Sequence, residues 1–184
     1  MKNNFNTNGY EYVDLGLPSG TLWAKCNVGA TKPEEYGNYF ACGETDPKEE
    51  YNWKIYKYNN SDGKTVLDPE DDAATVNMGG DWHMPTKEQC EELTANTTST
   101  WTTMNGVNGR LFKSNINGNE LFIPAAGDCY NGFVYDKGSN AYVWSSSLTV
   151  EYPNFAWYLY LSPSIMSIYG SIRCFGHSVR GVIG

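Results

Sequence analysis

Three features of the 184-residue chain predict an α+β fold, with two helices, a small antiparallel sheet and long loops in one domain spanning 1–184. The first is composition. Aromatic residues make up 15% of the chain, with fourteen Tyr and six Trp, on a background rich in Gly, Asn, Ser and Thr that favours short strands and turns. The second is a pair of stretches carrying helix-start signals, and the third is hairpin punctuation between alternating runs. The length suits one domain with a real core, by the rule of roughly 100–200 residues per domain.

In chain order, "YEYVDLGLPSGTLWAKCNVGA" reads as two short strands around the turn signal Pro18-Ser19-Gly20, with Leu22, Ala24 and Cys26 pointing inward. "YGNYFACGE" is a third strand-like piece. Residues 45–68 read as an excursion from the core, fastened down by its Trp and Tyr side chains. "DPEDDAATVNMGG" reads as a short helix with Asp68 as N-cap, Pro69 at the first helical position, acids in the first turn and Gly79-Gly80 beyond the end. Capping accounts for the carboxylates there, and the run lacks the regular spacing of a calcium loop. "MPTKEQCEELTAN" is the clearest helix, opened by a capping box of Thr86 and Gln89. Cys90 and Leu93 share one of its faces, so Cys90 reads as a small buried apolar residue rather than a nucleophile. Beyond Asn96, Asn105-Gly106 and Asn117-Gly118 punctuate a meander. "AYVWSSSL", "NFAWYLYL" and "GHSVRGVI" then supply three runs that close an antiparallel sheet.

The net charge is −8 and the pI near 4.7, so no basic stripe is present to neutralise phosphates, and nucleic acid is set aside as a partner. Five Cys, widely spaced with no CxxC pair, and only two His predict neither a zinc site nor a complete disulfide framework, and no cofactor is expected. No stretch is apolar enough to insert in a membrane, and the chain as given shows no export signal, although display at a cell or virion surface fits the functional reading below.

The run "MSIYGSIRCFGHSVRG", residues 166–181, shows neither strand alternation nor helical spacing in the sequence. It poses a choice between irregular core and a binding surface.

"GGDWHMPTKEQCEEL" is similar to a W-R-[LM]-P-T-x-x-[EQ] helix start, "YVWSSS" to a Y-W-S-S-S strand and "GHSVRGVI" to a G-x-S-V-R-x-V terminal strand. Together with "VDLGLPSGTLWAKCNVGA" they resemble the bacterial major-paralogous (FISUMP) domain and, more distantly, the formylglycine-generating branch of the C-type lectin fold. The resemblance covers essentially the whole chain. It implies a C-type lectin-like fold with two helices, a small twisted antiparallel sheet and a loop-rich face that binds ligands. His83 stands where the pattern has Arg, and Cys90 where an aromatic residue is common, so a buried Arg–carboxylate contact is not expected.

Residues 142–181 further resemble the variable segment of target proteins of diversity-generating retroelements, in which template copying randomises adenines in Asn codons. Randomising AAC yields NNC, which encodes Phe, Ser, Tyr, Cys, Ile, His and other residues but never Trp, Met, Lys, Gln or Glu. Candidate varied, ligand-contacting positions on this resemblance are Tyr152, Phe155, Tyr158, Tyr160, Ser162, Ser164, Ser167, Ile168, Tyr169, Ser171, Ile172, Cys174, Phe175 and His177. Trp144, Trp157, Leu159 and Val179 are the expected constant frame beneath them. Exposed Tyr and Phe give large contact area with little rotamer entropy to lose, and Ser and Gly give adaptable polar contact.

The leading function on this reading is a non-enzymatic, ligand-binding display protein whose C-terminal segment recognises a protein or glycan on another cell. An adhesive or structural surface domain without diversification is the alternative. An enzyme of the formylglycine-generating kind is third, because Cys129 and Cys174 form no close pair resembling its active site. "EYPN" at 151–154 superficially resembles the Glu-Pro-Asn calcium motif of lectins, but Tyr152 interrupts it and no Trp-Asn-Asp follows. It reads as a turn around Pro153, and no metal is expected.

Overall fold

The computed structural model describes residues 5–58 and 63–184; the first four residues of the chain and 59–62 of the polar excursion lie outside it. Four strands precede the helices: β1 (Phe5–Thr7), β2 (Tyr10–Asp14), β3 (Leu22–Ala24) and β4 (Tyr39–Phe40). A 3-10 turn at Pro69–Asp71 leads into α1 (Ala73–Met78) and then α2 (Lys87–Ala95). The strands that follow are β5 (Thr97–Met104), β6 (Val107–Ser114), β7 (Glu120–Pro124), β8 (Asp128–Tyr130), β9 (Phe133–Tyr135), β10 (Ala141–Leu148), β11 (Phe155–Leu161), β12 (Met166–Ile172), β13 (His177–Ser178) and β14 (Val182–Ile183).

These strands form four sheets, ordered β1-β2-β3-β14, β12-β11-β10-β13-β4, β5-β6-β7 and β8-β9. Strand accounts for 39% of residues and helix for 10%, so the fold is predominantly β and the expected α+β, C-type lectin-like architecture is corrected. The reason is visible in the helices. At six and nine residues they fall short of the ~12–15 that sustain a helix by propensity, and serve as packing elements on the sheets.

Local signals decide most element ends. At Asn105-Gly106 both residues hold positive φ, 49° and 83°, which joins β5 to β6 as a tight hairpin. The capping box forms: Thr86 Oγ1 accepts from the Gln89 amide at 3.2 Å, and the Gln89 side chain accepts from the Thr86 amide at 2.9 Å. The N-cap of α1 is Asp72, not Asp68. Asp68 closes only the 3-10 turn through its carbonyl, whereas the buried Asp72 carboxylate accepts from Thr75 and Met84, both at 2.8 Å, tying α1 to the segment ahead of α2. Asp68 pairs with Lys64, and Asp71 accepts from the Tyr58 hydroxyl, so these carboxylates have protein partners.

The excursion is fastened as expected. Tyr51 and Tyr56 are buried, donating to the carbonyls of Tyr39 at 2.5 Å and Cys42 at 2.6 Å, while Trp53 stays partly exposed. In β3, Trp23 and Ala24 are both buried because both faces of the strand are covered, whereas Leu22 and, beyond the strand, Cys26 are only half-buried, so the expected inward set is corrected to Trp23 and Ala24. The terminal run "GHSVRGVI" divides: β13 pairs parallel with β10, and β14 pairs antiparallel with β3. Between them the fully buried Arg180 donates to Asn27 Oδ1 at 2.9 Å and to the carbonyls of Ala24, Lys25 and Phe122 at 3.0, 2.7 and 3.1 Å. Desolvation lowers its pKa to about 10, and the four acceptors offset the loss of water.

The core has three parts. One lies under α2, where Cys90 and Leu93 meet Trp23, Val143, Leu159 and Leu161. A second gathers Phe40, Trp82, Met84 and Trp144. A third, beneath the excursion, holds Tyr51, Tyr56, Cys129 and Cys174. Burial pushes the thiols of Cys42, Cys90, Cys129 and Cys174 above their ordinary value, leaving them as small packing groups.

Candidate ligand-binding face

Aromatic and β-branched residues in β10 and β11 favour a pleated sheet, and β12 adds to it as an edge strand. The register sets Tyr142 opposite Tyr160, Trp144 opposite Tyr158, Tyr158 opposite Tyr169 and Tyr160 opposite Ser167. Side chains alternate across a sheet, so Tyr142, Trp144, Tyr158, Tyr160, Ser167, Tyr169 and Ser171 share one face. Val143, Leu159, Leu161, Met166 and Ile168 share the other, which packs towards α2. Residues 166–172 therefore form a strand with period-two alternation, contrary to the reading of that run as aperiodic. Ile168 and Met166 are held against the core, while Ser167, Tyr169 and Ser171 face away. Gly170 falls on the α2 side opposite Trp157, and its missing side chain blurs the pattern.

The tyrosine face begins in the core and emerges from it. At its inner end the rings of His177, Tyr142 and Tyr158 lie near-parallel in a triangle, with centroids 5.2, 5.1 and 5.7 Å apart, and His177 meets Trp144 edge-on at 4.1 Å. Its Nε2 lies 3.0 Å from Ser171 Oγ, and among the described residues Nδ1 has no hydrogen-bond partner. Full burial pulls its pKa down to about 3, so the ring is neutral at ordinary pH. At the outer end Tyr160 packs on Tyr142 and Tyr169 at 5.3 and 5.9 Å, and Tyr169 is 44% exposed.

Beyond Tyr142 the face continues onto β8 and β9. Asn131-Gly132, with φ of 49° and 77°, turns this hairpin, and Gly127 bridges to Ala141 to set it beside β10. The Tyr142 hydroxyl donates to Asp136 Oδ2 at 2.7 Å. The Tyr130 ring lies 4.5 Å from Phe175, and Phe133 and Tyr135 stand exposed at 66% and 49%. Burial first, then the neighbouring Asp136 charge, lifts the Asp128 carboxyl to about 6.

The fourteen candidate positions thus separate. Tyr158, Tyr160, Ser167, Tyr169, Ser171 and His177 come together on the tyrosine face. Phe155, Ile168 and Ile172 fall on the opposite side of the sheet, all half-buried. Tyr152, Ser162 and Ser164 lie in the turns flanking β11, where Tyr152 and Ser164 are exposed and Ser162 is buried, its Oγ accepting from Ile165 at 3.0 Å. Cys174 and Phe175 belong to the third core region, Cys174 fully buried and Phe175 half-exposed against Tyr130. In all, Tyr158, Ser162, Cys174 and His177 are buried. Of the expected frame, Trp144, Leu159 and Val179 are buried, whereas Trp157 is half-buried beneath the Lys87 ammonium, 4.2 Å from its ring. The 151–154 stretch is a turn in which the Tyr152 carbonyl accepts from the Phe155 amide at 2.8 Å.

Sequence reasoning did not single out Tyr142, Asp128, Asp136 or the β8–β9 hairpin. Asn131-Gly132, set between "DCY" and "FVY", was the available signal. Family models, curated proteins and solved structures return no match to this chain. Among the described residues no helix is long and apolar enough to cross a membrane.

Proposed function

We propose that this protein is a non-enzymatic binding module whose tyrosine face, drawn from residues 142–181, recognises a protein or glycan on another cell, with retroelement-driven change of exposed positions in that segment. The observation that carries the reading is the alternation along β12. Ser167 and Tyr169 face outward, while Met166 and Ile168 anchor the same strand to the core, so outward side chains can change without unfolding it. Tyr, Ser and Gly at such positions match the composition of adaptable binding surfaces. Burial makes Cys42 and Cys90 poor nucleophiles, which counts against thiol chemistry at those two positions.

The buried placement of Tyr158, Ser162, Cys174 and His177 favours the second reading, a constant adhesive surface domain, at those four positions. Sequencing the flanking DNA and many clonal isolates separates the two. Diversification predicts a reverse-transcriptase gene, a near-copy repeat with Asn codons, and differences concentrated at the exposed positions 152, 164 and 169 and at the half-buried, outward-facing 167. An unchanged 150–177 segment with no template repeat would refute diversification and leave the constant surface domain.

A further inference from the structure

We propose that the acidic end of the tyrosine face is a subsite for an organic cation, the ammonium or guanidinium of a Lys or Arg side chain on a protein ligand. This rests on the reading of that face as a binding surface. Asp128 is only 9% exposed, and among the described residues no cation and no hydrogen-bond donor of another residue meets its carboxylate. A buried carboxylate ordinarily has a hydrogen-bonded or charged partner, and here that place is open. Across the hairpin Asp128 pairs with Tyr135, which sets it beside the exposed Asp136, so two like charges share one small region. The nearest basic side chain in sequence, Lys137, directs its ammonium over the Tyr36 ring, 5.0 Å from the centroid.

The neighbouring surface is of the kind that completes a cation site. Tyr142 donates its hydroxyl to Asp136, which keeps that carboxylate at the edge of the ring cluster. Tyr160 and Tyr169 continue the cluster outward. Aromatic faces attract cations through their quadrupole, and the effect grows as water is excluded. An aliphatic stem lying over Tyr160 and Tyr169 would bring a terminal cation to Asp136 and Asp128. There it relieves their mutual repulsion and gives Asp128 the partner it lacks. A neutral sugar would leave the two carboxylates uncompensated, so charge complementarity favours the cation on a chain of net charge −8.

The test is NMR titration of the full chain at pH 7.5 with N-acetyl-lysine amide, using N-acetyl-norleucine amide and methyl α-glucopyranoside as controls. The expected result is saturable shifts of the Tyr142, Tyr160 and Tyr169 ring signals and of the Asp136 amide, in the millimolar range and with the lysine derivative alone. Asp136→Asn, at an exposed position, should keep a dispersed spectrum and bind about fivefold more weakly. Asp128→Asn should weaken binding further. Equal shifts with the norleucine derivative, shifts with the glucoside alone, or wild-type affinity in Asp136→Asn would each overturn the cation assignment. The reading of the face as a binding surface is decided separately, by the codon variation.

Discussion

Replacing His177 with Phe tests the energetics at the root of the tyrosine face. The imidazole is fully buried beside Tyr142, Tyr158 and Trp144, and its pKa falls to about 3 from an ordinary value of 6.5. A folded-state pKa below the unfolded value means that the unfolded chain binds the proton more readily. The stability gained from a neutral His177 is therefore complete above about pH 6.5 and is lost progressively as the pH falls towards 3. At ~1.4 kcal/mol per pH unit, lowering the pH from 6.5 to 4.5 removes roughly 3 kcal/mol through this one group. Asp128 works in the opposite direction. Its carboxyl is raised to about 6, so its contribution is full below about pH 4 and is lost as the pH rises through 6. Total stability thus mixes two opposed slopes, and the difference between wild type and His177→Phe isolates the first. Phe keeps the aromatic stack and removes the titrating ring. Urea unfolding at pH 7.5, 6.0, 5.0 and 4.5 should show the variant gaining on wild type by roughly 3 kcal/mol between the first and last conditions. A constant difference across that range would refute the burial of a neutral imidazole at this site.

Arg180→Met should cost about 3–5 kcal/mol in the same assay, because it strands Asn27 Oδ1, the buried carbonyls of Ala24 and Phe122 and the part-buried carbonyl of Lys25 at the junction of the terminal strand; a loss below about 1 kcal/mol would count against that network. The outward and inward ends of the face should tolerate change unequally. Tyr169→Ser should shift stability by no more than about 1 kcal/mol, whereas Tyr158→Ala, in the core, should cost about 3–5 kcal/mol; equal effects would remove the basis for a changeable surface.

Much of the chain was legible because its signals are local. The Thr86–Gln89 capping box and the Asn105-Gly106 hairpin depend on side chains meeting backbone a few residues away or on φ preferences that a dipeptide carries, whereas the anchoring by Tyr51 and Tyr56 was legible only as an aromatic composition, its carbonyl partners at Tyr39 and Cys42 being set by the fold. What was illegible depends on distant partners. Asp72 outcompetes Asp68 as N-cap because it also reaches the Met84 amide, a contact made by tertiary packing. Residues 177–183 look like one strand but serve two sheets, with Arg180 at the crossing. The predominantly β character comes mainly from the long strands β5, β6, β10, β11 and β12, but strands of two or three residues such as β4, β8, β13 and β14 hold only because neighbours pair with them, and so short a strand has no periodicity to read. The tyrosine face was half visible: its β11 and β12 side chains were among the candidates, but the register that groups them, and Tyr142 beside them, emerge only once the strands pair.

The β8–β9 hairpin lies outside residues 142–181, yet it abuts Tyr142 and borders the same surface. A surface assembled from two separate stretches cannot be rewritten by changes in one of them. If positions on β12 change as proposed, each version would keep Asp128, Asp136 and the exposed Phe133 and Tyr135 as a fixed border. A repertoire built on this scaffold would therefore have a built-in chemical accent: its members would differ in shape, but always beside the same acidic and aromatic edge.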